Sequence, residues 1–356
     1  MKFIRAVLFY TPLNAAYYGV KMEIWQITVI IAAIIITFLI LLFSLAAVVY
    51  NYAFGRRYGK NPLLKYFGAE DFALTVKPVS VNADKTLLRG NIYRRHNVAD
   101  NGKLIIFCHG LGAGQAEYTT EIDRFCRAGF TVLALDNAGC GMSEGKSIRG
   151  MYSGVKAAVA AYDYAKTDAD LADKDAYFVG HSWGGYSALC ASNERGVKAA
   201  VSISAPDRPA RALKDSASRI IPRAIAGLLY PFWCLIDFFK FGKNANKSAA
   251  RCAENNGVPT LLIHGGKDNT VLMRNAAFYR AQGGNIVKIL DENKAHNPYN
   301  TVEAEQKLAE LSSSFVKMKK LPREELLAYL EKFDFCAATE EDEKIMEEIV
   351  RFIESN

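Results

Sequence analysis

The stretch Gly180-His181-Ser182-Trp183-Gly184 places a serine between two glycines, each two residues away. Glycines at those positions suit a sharp strand-to-helix turn that lifts a hydroxyl clear of the backbone, where it can attack a carbonyl. Such a pattern is common by chance, so the rest of the chain must supply a base, an acid and donors for the developing oxyanion. A serine hydroxyl is a weak nucleophile without a base. The chain holds five histidines: His96, His109, His181, His264 and His296. His296, in "DENKAHNPY", sits on a polar loop after the last expected strand. Asp268, in "LLIHGGKDNTV", follows a buried strand and precedes that histidine. The order Ser182, Asp268, His296 is the one expected for a nucleophile, acid and base on an α/β sheet. Asp207, after another strand, is the second choice for the acid, whereas Asp291 lies too near His296 in sequence. The backbone amides of Trp183 and of Leu111, in "CHGLG", are the expected oxyanion donors, each worth roughly 3 kcal/mol. The run "GLGAGQ" also approaches a dinucleotide fingerprint, but Gln115 stands where the third glycine belongs.

These residues need elements to hold them. Strands are expected at Leu87–Tyr93, Leu104–Cys108, Thr131–Asp136, Ala176–Val179, Ala199–Ser204, Thr260–His264 and Ile286–Leu290. The later ones are apolar on both faces, as buried parallel strands are. Helical patterns at Glu117–Ala128, Gly154–Ala165 and Tyr186–Asn193 fill the gaps. The alternation predicts a mostly parallel sheet covered by helices on both faces. Ser182 then falls on the turn between a strand and a helix. The rhythm breaks between Asp207 and Asn256, where "RIIPRAIAGLLYPFWCLIDFFKFGK" is helical, aromatic and basic. That stretch reads either as an ordinary amphipathic core helix or as a lid over the sheet's carboxyl-terminal edge. Read as a lid, it makes Tyr230, Trp233 and Phe238 candidate substrate contacts, with Arg219, Arg223, Lys240 and Lys243 facing lipid phosphates.

The sequence "ITVIIAAIIITFLILLFSLAAVVY", Ile27 to Tyr50, carries no charge and is long enough to cross a hydrocarbon core of about 30 Å. A retained single-pass anchor is the expectation. Ser44-Leu45-Ala46 also offers a small-x-small cleavage site, so a signal peptide stays open. Arg56, Arg57, Lys60 and Lys65 follow the span closely, against Lys2, Arg5 and Lys21 before it. That balance leans towards a cytoplasmic carboxyl-terminal domain. The seven cysteines, an odd number with several inside apolar runs, read as reduced thiols. The net charge of +7 gathers near the span and between Arg208 and Arg251, while the tail after Glu324 is acidic. No zinc spacing, helix-turn-helix pattern or basic-aromatic platform supports a nucleic-acid partner, and no metal or other cofactor is expected. The expected organisation is an N-terminal segment 1–26, a transmembrane helix 27–50 and a connector 51–71. A first part of the core, 72–206, a helical cap, 207–256, and a second part with an acidic helical extension, 257–356, follow.

The motifs "FCHGLG", "LDNAGCGMSEG", "GHSWGG", "HGGKDNTV" and "KAHNPY", in this order, resemble the α/β-hydrolase superfamily. The chain is most similar to its serine-aminopeptidase and monoacylglycerol-lipase-like members, which carry a short helical cap. The resemblance covers roughly Phe72 to Asn300. It implies an α/β-hydrolase fold, with Ser182 as nucleophile, Asp268 as acid and His296 as base. It also implies that Asp136, Gly139, Gly141 and Ser143 shape the pocket floor. Asn137 and Cys140 stand where relatives often carry Arg and His, and Glu303–Asn356 is long for the family. The expected activity is cleavage of carboxylic esters, lipid acyl esters among them, through an acyl-enzyme at a membrane. A serine aminopeptidase and a catalytically silent interaction module are the alternatives. The oligomeric state is left open.

Overall fold

The computed structural model describes residues 22–61, 64–318 and 322–356. Lys2, Arg5 and Lys21, with most of the expected N-terminal segment, lie outside the described residues. Eight strands form one sheet: β1 (Leu74–Ala83), β2 (Thr86–Arg95), β3 (Lys103–Cys108), β4 (Thr131–Leu135), β5 (Asp175–His181), β6 (Ala199–Ile203), β7 (Thr260–Gly265) and β8 (Ile286–Asp291). Their order is β1-β2-β4-β3-β5-β6-β7-β8. β1, β2 and β4 pair antiparallel, and every other ladder is parallel. Seven of these strands fall where the apolar runs predict them. β1 does not announce itself, because it is an edge strand with Pro78 inside it and only Val79 and Val81 buried.

Alternate residues of β3 divide between two apolar cores. Leu104, Ile106 and Cys108 join the cluster on one face, Ile105 and Phe107 the cluster on the other. Helices cover both faces, which is why the central strands read as unbroken apolar runs. After α1 (Ile24–Phe54), α2 (Thr119–Arg127), α3 (Tyr152–Ala165) and α4 (Trp183–Ser192) alternate with the first strands. α5 (Pro209–Ala217), α6 (Arg223–Phe241) and α7 (Ala249–Asn255) form the insertion between β6 and β7, followed by the single turn α8 (Ala277–Arg280). The C-terminal extension is α9 (Val302–Met318), α10 (Arg323–Lys332), α11 (Phe335–Ala338) and α12 (Glu343–Glu354). Its last helix is no loose tail: Ile345, Met346, Ile349 and Ile353 form an apolar stripe buried in the second core.

α1 is one continuous helix of 31 residues with two environments. Most of its side chains as far as Leu45 are open to the outside. Ala46, Tyr50 and Phe54, spaced by four and therefore on one face, are buried in the first core. There the indole Nε1 of Trp233 donates to the Ala46 carbonyl at 3.0 Å. The Tyr50 hydroxyl lies 2.5 Å from Asp237 Oδ1 and 3.0 Å from the Arg149 carbonyl. Beyond the helix, Tyr58 N donates to Gly139 O at 2.9 Å and Tyr58 O accepts from Gly141 N at 3.0 Å. The Arg57 guanidinium donates to the carbonyls of Gly141 and Ser143. The span expected over 27–50 lies within this longer helix. The helix runs on to Phe54, and the first residues of the expected connector are stitched to the core.

α6 likewise differs from the lid expectation. Ala226, Leu229, Trp233 and Ile236 lie at helical spacing and are buried, so Trp233 faces inward, 0% exposed. Ile225, Leu228, Leu235, Phe238 and Phe239 point out. Among the described residues two helices are long and apolar enough to cross a membrane, α1 and the stretch from Arg223 to Asn255, but the second has an inner face packed into the domain.

Tyr50→Phe keeps the ring and removes the hydroxyl, leaving a buried carboxylate oxygen and a carbonyl without that partner. The protein should lose about 1–3 kcal/mol of stability, read as a lower unfolding midpoint. An unchanged midpoint would show that the inner turns of α1 unfold independently of the core.

Candidate active site

β5 delivers Ser182 to the start of α4 in a backbone conformation that only strong packing sustains, φ 57° and ψ −117°. Such a conformation costs about 1–3 kcal/mol for a residue with a side chain. Two glycines make it possible. A side-chain carbon on Gly184 would fall onto the Cys108 carbonyl, and one on Gly180 onto the Gly184 carbonyl. The turn is tied down by Ser182 N, which donates to Ile203 O at 2.7 Å.

Three side chains from separate loops meet here. His296 Nε2 is 3.0 Å from Ser182 Oγ, and His296 Nδ1 is 2.8 Å from Asp268 Oδ2. A carboxylate can only accept, so Nδ1 carries the hydrogen and Nε2 offers its lone pair to the serine hydroxyl. Asp268 Oδ1 accepts from the amides of Thr270 and Val271 at 2.7 and 2.9 Å. Burial alone would raise the Asp268 carboxyl. The His296 hydrogen bond and charge, the Val271 amide and His264 outweigh it and hold the group below the usual carboxylate range. The runner-up acids have other work. Asp207 accepts from Ser248 Oγ and the Ala250 amide at the start of α7 and pairs with Arg208, Arg211 and Arg280. Asp291 Oδ1 accepts from the Asn293 amide.

A cavity of about 450 Å³ opens over Ser182 and His296, with Leu111 and Trp183 in its wall. Neither of their amides meets a protein acceptor among the described hydrogen bonds. The Trp183 amide also opens the ten-residue α4, whose N-terminus favours negative charge. Together the groups can activate an oxygen nucleophile and hold a developing oxyanion.

The three expected cap contacts are off this cavity. Trp233 is core, Phe238 is on the outer surface, and Tyr230 packs against the first core near Lys214. The cap supplies Ala212, Leu213, Asp215 and Ser216 instead, from α5. The loop expected as pocket floor is also displaced. Asp136 accepts from the Gln115 and Met142 amides, and its carbonyl from Ser143 Oγ, making a latch beneath the site rather than its lining.

Two sets of supporting contacts escape the sequence. Gly110 N donates to the Tyr118 hydroxyl at 3.1 Å, Tyr118 lies 2.8 Å from His181 Nδ1, and His181 Nε2 lies 3.0 Å from the His296 carbonyl. Since Tyr118 accepts from Gly110, its own hydrogen goes to Nδ1, and Nε2–H donates to His296 O. One chain of bonds therefore joins the Gly110 loop to the His296 loop. On the other side, Glu305 of α9 accepts from the amides of Ala295 at 2.6 Å and Asn297 at 2.8 Å, one on each side of His296. Buried Lys294 pairs with Asp342 at 2.7 Å, fixing the same loop to the start of α12.

A family model of the alpha/beta hydrolase family matches residues 105–299, more than half of the chain. The chain belongs to that family. Solved structures agree on the fold. An esterase of Pyrococcus furiosus superposes with a TM-score of 0.53 at 20% identity, covering 74% of this hydrolase and 98% of that protein. A second crystal form of it gives 0.51 at 19%, with 74% and 97% covered. No curated protein sequence matches significantly.

Glu305→Ala should free the backbone on both sides of His296. A displacement of the base by about 1 Å costs up to about 100-fold, so kcat should fall by about 10- to 100-fold with KM little changed. An unaltered kcat would show that the loop is held without it. His181 supplies a second prediction. Burial, then the charge of His296, pushes His181 from 6.5 down to about 3. Below 6.5 the unfolded chain takes up a proton that the folded chain refuses, so stability rises with pH across that window and is lost as pH falls towards 3. His109 and His264 are lowered in the same direction, each chiefly by burial. His181→Gln should therefore flatten, without abolishing, the fall in unfolding midpoint between pH 6.5 and pH 4. An equally steep fall would assign the acid sensitivity elsewhere.

Proposed function

We propose that the chain is a membrane-anchored serine hydrolase that cleaves carboxylic esters through an acyl-enzyme. The observation that carries this reading is the hydrogen-bonded chain Ser182–His296–Asp268 at an apolar-walled cavity. His296 Nε2 takes the Ser182 proton as Oγ attacks the ester carbonyl, and the amides of Leu111 and Trp183 receive the oxyanion. His296 then returns the proton to the leaving alkoxide, and water, activated the same way, releases the acid and restores Ser182. Asp268 holds the imidazole in the tautomer the step needs. A peptidase that captures a free amine wants an unpaired carboxylate in the cavity. The one acidic residue lining it, Asp215, is already bound by Arg274 at 3.2 Å and Asn275 at 2.5 Å, which favours esters.

The exposed turns of α1 are the anchor in this reading, and Arg56, Arg57, Lys60 and Lys65 after it support a cytoplasmic hydrolase domain. The outer face of α6 continues the same surface: Phe232 meets Phe43 of α1 with ring centroids 6.2 Å apart. Exposed Ile225, Leu228, Leu235, Phe238 and Phe239, flanked by Arg219, Arg223, Lys240 and Lys243, suit the boundary between lipid tails and phosphates.

Ser182→Ala should abolish labelling by a fluorophosphonate probe and lower turnover of p-nitrophenyl esters by up to about a million-fold. Full esterase activity in that variant would refute the mechanism. Turnover of aminoacyl amides in preference to esters would move the enzyme to the peptidases.

A further inference from the structure

Three of the residues around the cavity at Ser182 come from α1 and its continuation: Ala53, Phe54 and Tyr58. We propose that the inner end of the anchor helix is a substrate-binding element, in which Phe54 and Tyr58 form the apolar wall that sets how bulky a group the enzyme accepts beside Ser182. This rests on reading Ser182 as the nucleophile.

The wall is rigid. Its helix is fastened at Ala46 by Trp233 and at Tyr50 by Asp237, and its far side at Tyr58 by Gly139 and Gly141. The Tyr58 hydroxyl turns back to donate to Ala53 O at 3.0 Å, which sets the ring's direction. A side-chain carbon at Gly112 would lie 3.8 Å from that ring, so Tyr58 stands against the loop that presents the Leu111 amide. The cavity is also lined by Leu213, Val271 and Leu272. Aromatic and aliphatic walls beside the Ser182 hydroxyl and the His296 imidazole suit a substrate with an apolar arm next to its carbonyl. The helix also sets the distance to the bilayer. From Leu45, where α1 loses its protein cover, to Phe54 is about 14 Å along the axis at 1.5 Å per residue. No flexible linker intervenes between anchor and pocket.

Phe54 is 3% exposed and packs on Tyr50, so the competing view is that it only fills the core. Full-length protein in phosphatidylcholine vesicles separates the two, with kcat/KM measured for p-nitrophenyl acetate, octanoate and palmitate. Phe54→Ala should raise the octanoate-to-acetate and palmitate-to-acetate ratios by about tenfold over the unmodified protein, the scale that a change of pocket volume produces. Phe54→Leu should shift them in the same direction by less. Val48→Ala, on the exposed side of the same helix, should leave them unchanged. Ratios unchanged in folded Phe54→Ala, or a uniform fall for all three esters, would overturn the proposal. Should Phe54→Ala fail to fold, Phe54→Leu and Tyr58→Leu decide by the same ratios. Fluorophosphonate labelling of Ser182 is followed in every variant. Labelling without a shift in ratio sinks the wall alone, whereas activity that survives Ser182→Ala sinks the nucleophile reading.

Discussion

The structure turns on how closely α4 approaches the sheet. All ten residues of α4 are buried, and Gly184 sits so near the Cys108 carbonyl that no side chain fits between them. Because the helix cannot back away, Ser182 is forced through φ 57°, and it lines the cavity together with Trp183, the first residue of the helix. The core on both faces of β3 and β5 supplies the energy that keeps the turn strained. The apolar clusters above and below the sheet are therefore the source of the reactive geometry, as well as of the fold.

In the proposed mechanism Ser182 needs a base beside it, and distant parts of the chain hold His296 there. His296 lies on a loop that could flex. It is gripped by Glu305 on both flanking amides, by Lys294 reaching Asp342, and by His181 on its carbonyl. Two of those contacts come from the C-terminal extension, which on length alone looks like an ornament. The packing of α12 on the sheet gives the extension a structural purpose. The histidine loop is clamped between the core and the extension.

The three residues at the centre were legible in the sequence because each sits in a local motif at the end of an apolar run. Most of the sheet was legible for the same reason. β1 was not, since an exposed edge strand containing proline has no buried run to show. Tyr118 and His181 were not, because a hydrogen bond between residues 63 or 115 apart leaves no local trace. Glu305 was not, because its partners are backbone amides, 10 and 8 residues before it, which carry no side-chain signature. Trp233 shows a different failure. Aromatic composition suggested a lipid-reading lid, but the spacing of Ala226, Leu229, Trp233 and Ile236 places the indole on the inner stripe. Periodicity, laid out residue by residue, carries more information there than composition does.

The same reasoning explains why α1 can serve two environments. A helix satisfies its backbone hydrogen bonds internally, so under the proposed anchoring it passes from lipid into a protein core without leaving a polar group stranded. A loop making that passage would need water or capping side chains at every step. The side chains need only change partners. Up to Leu45 they are uncharged and mostly apolar, and after it Ala46, Tyr50 and Phe54 select one face for the core while Val48 and Tyr52 remain outside. The Trp233 bond to the Ala46 carbonyl marks the transition, an indole donor spent on a carbonyl that its own helix already uses. An indole N–H committed there could not also serve a substrate, which is the chemical reason Trp233 belongs to the joint between helix and domain and not to the pocket.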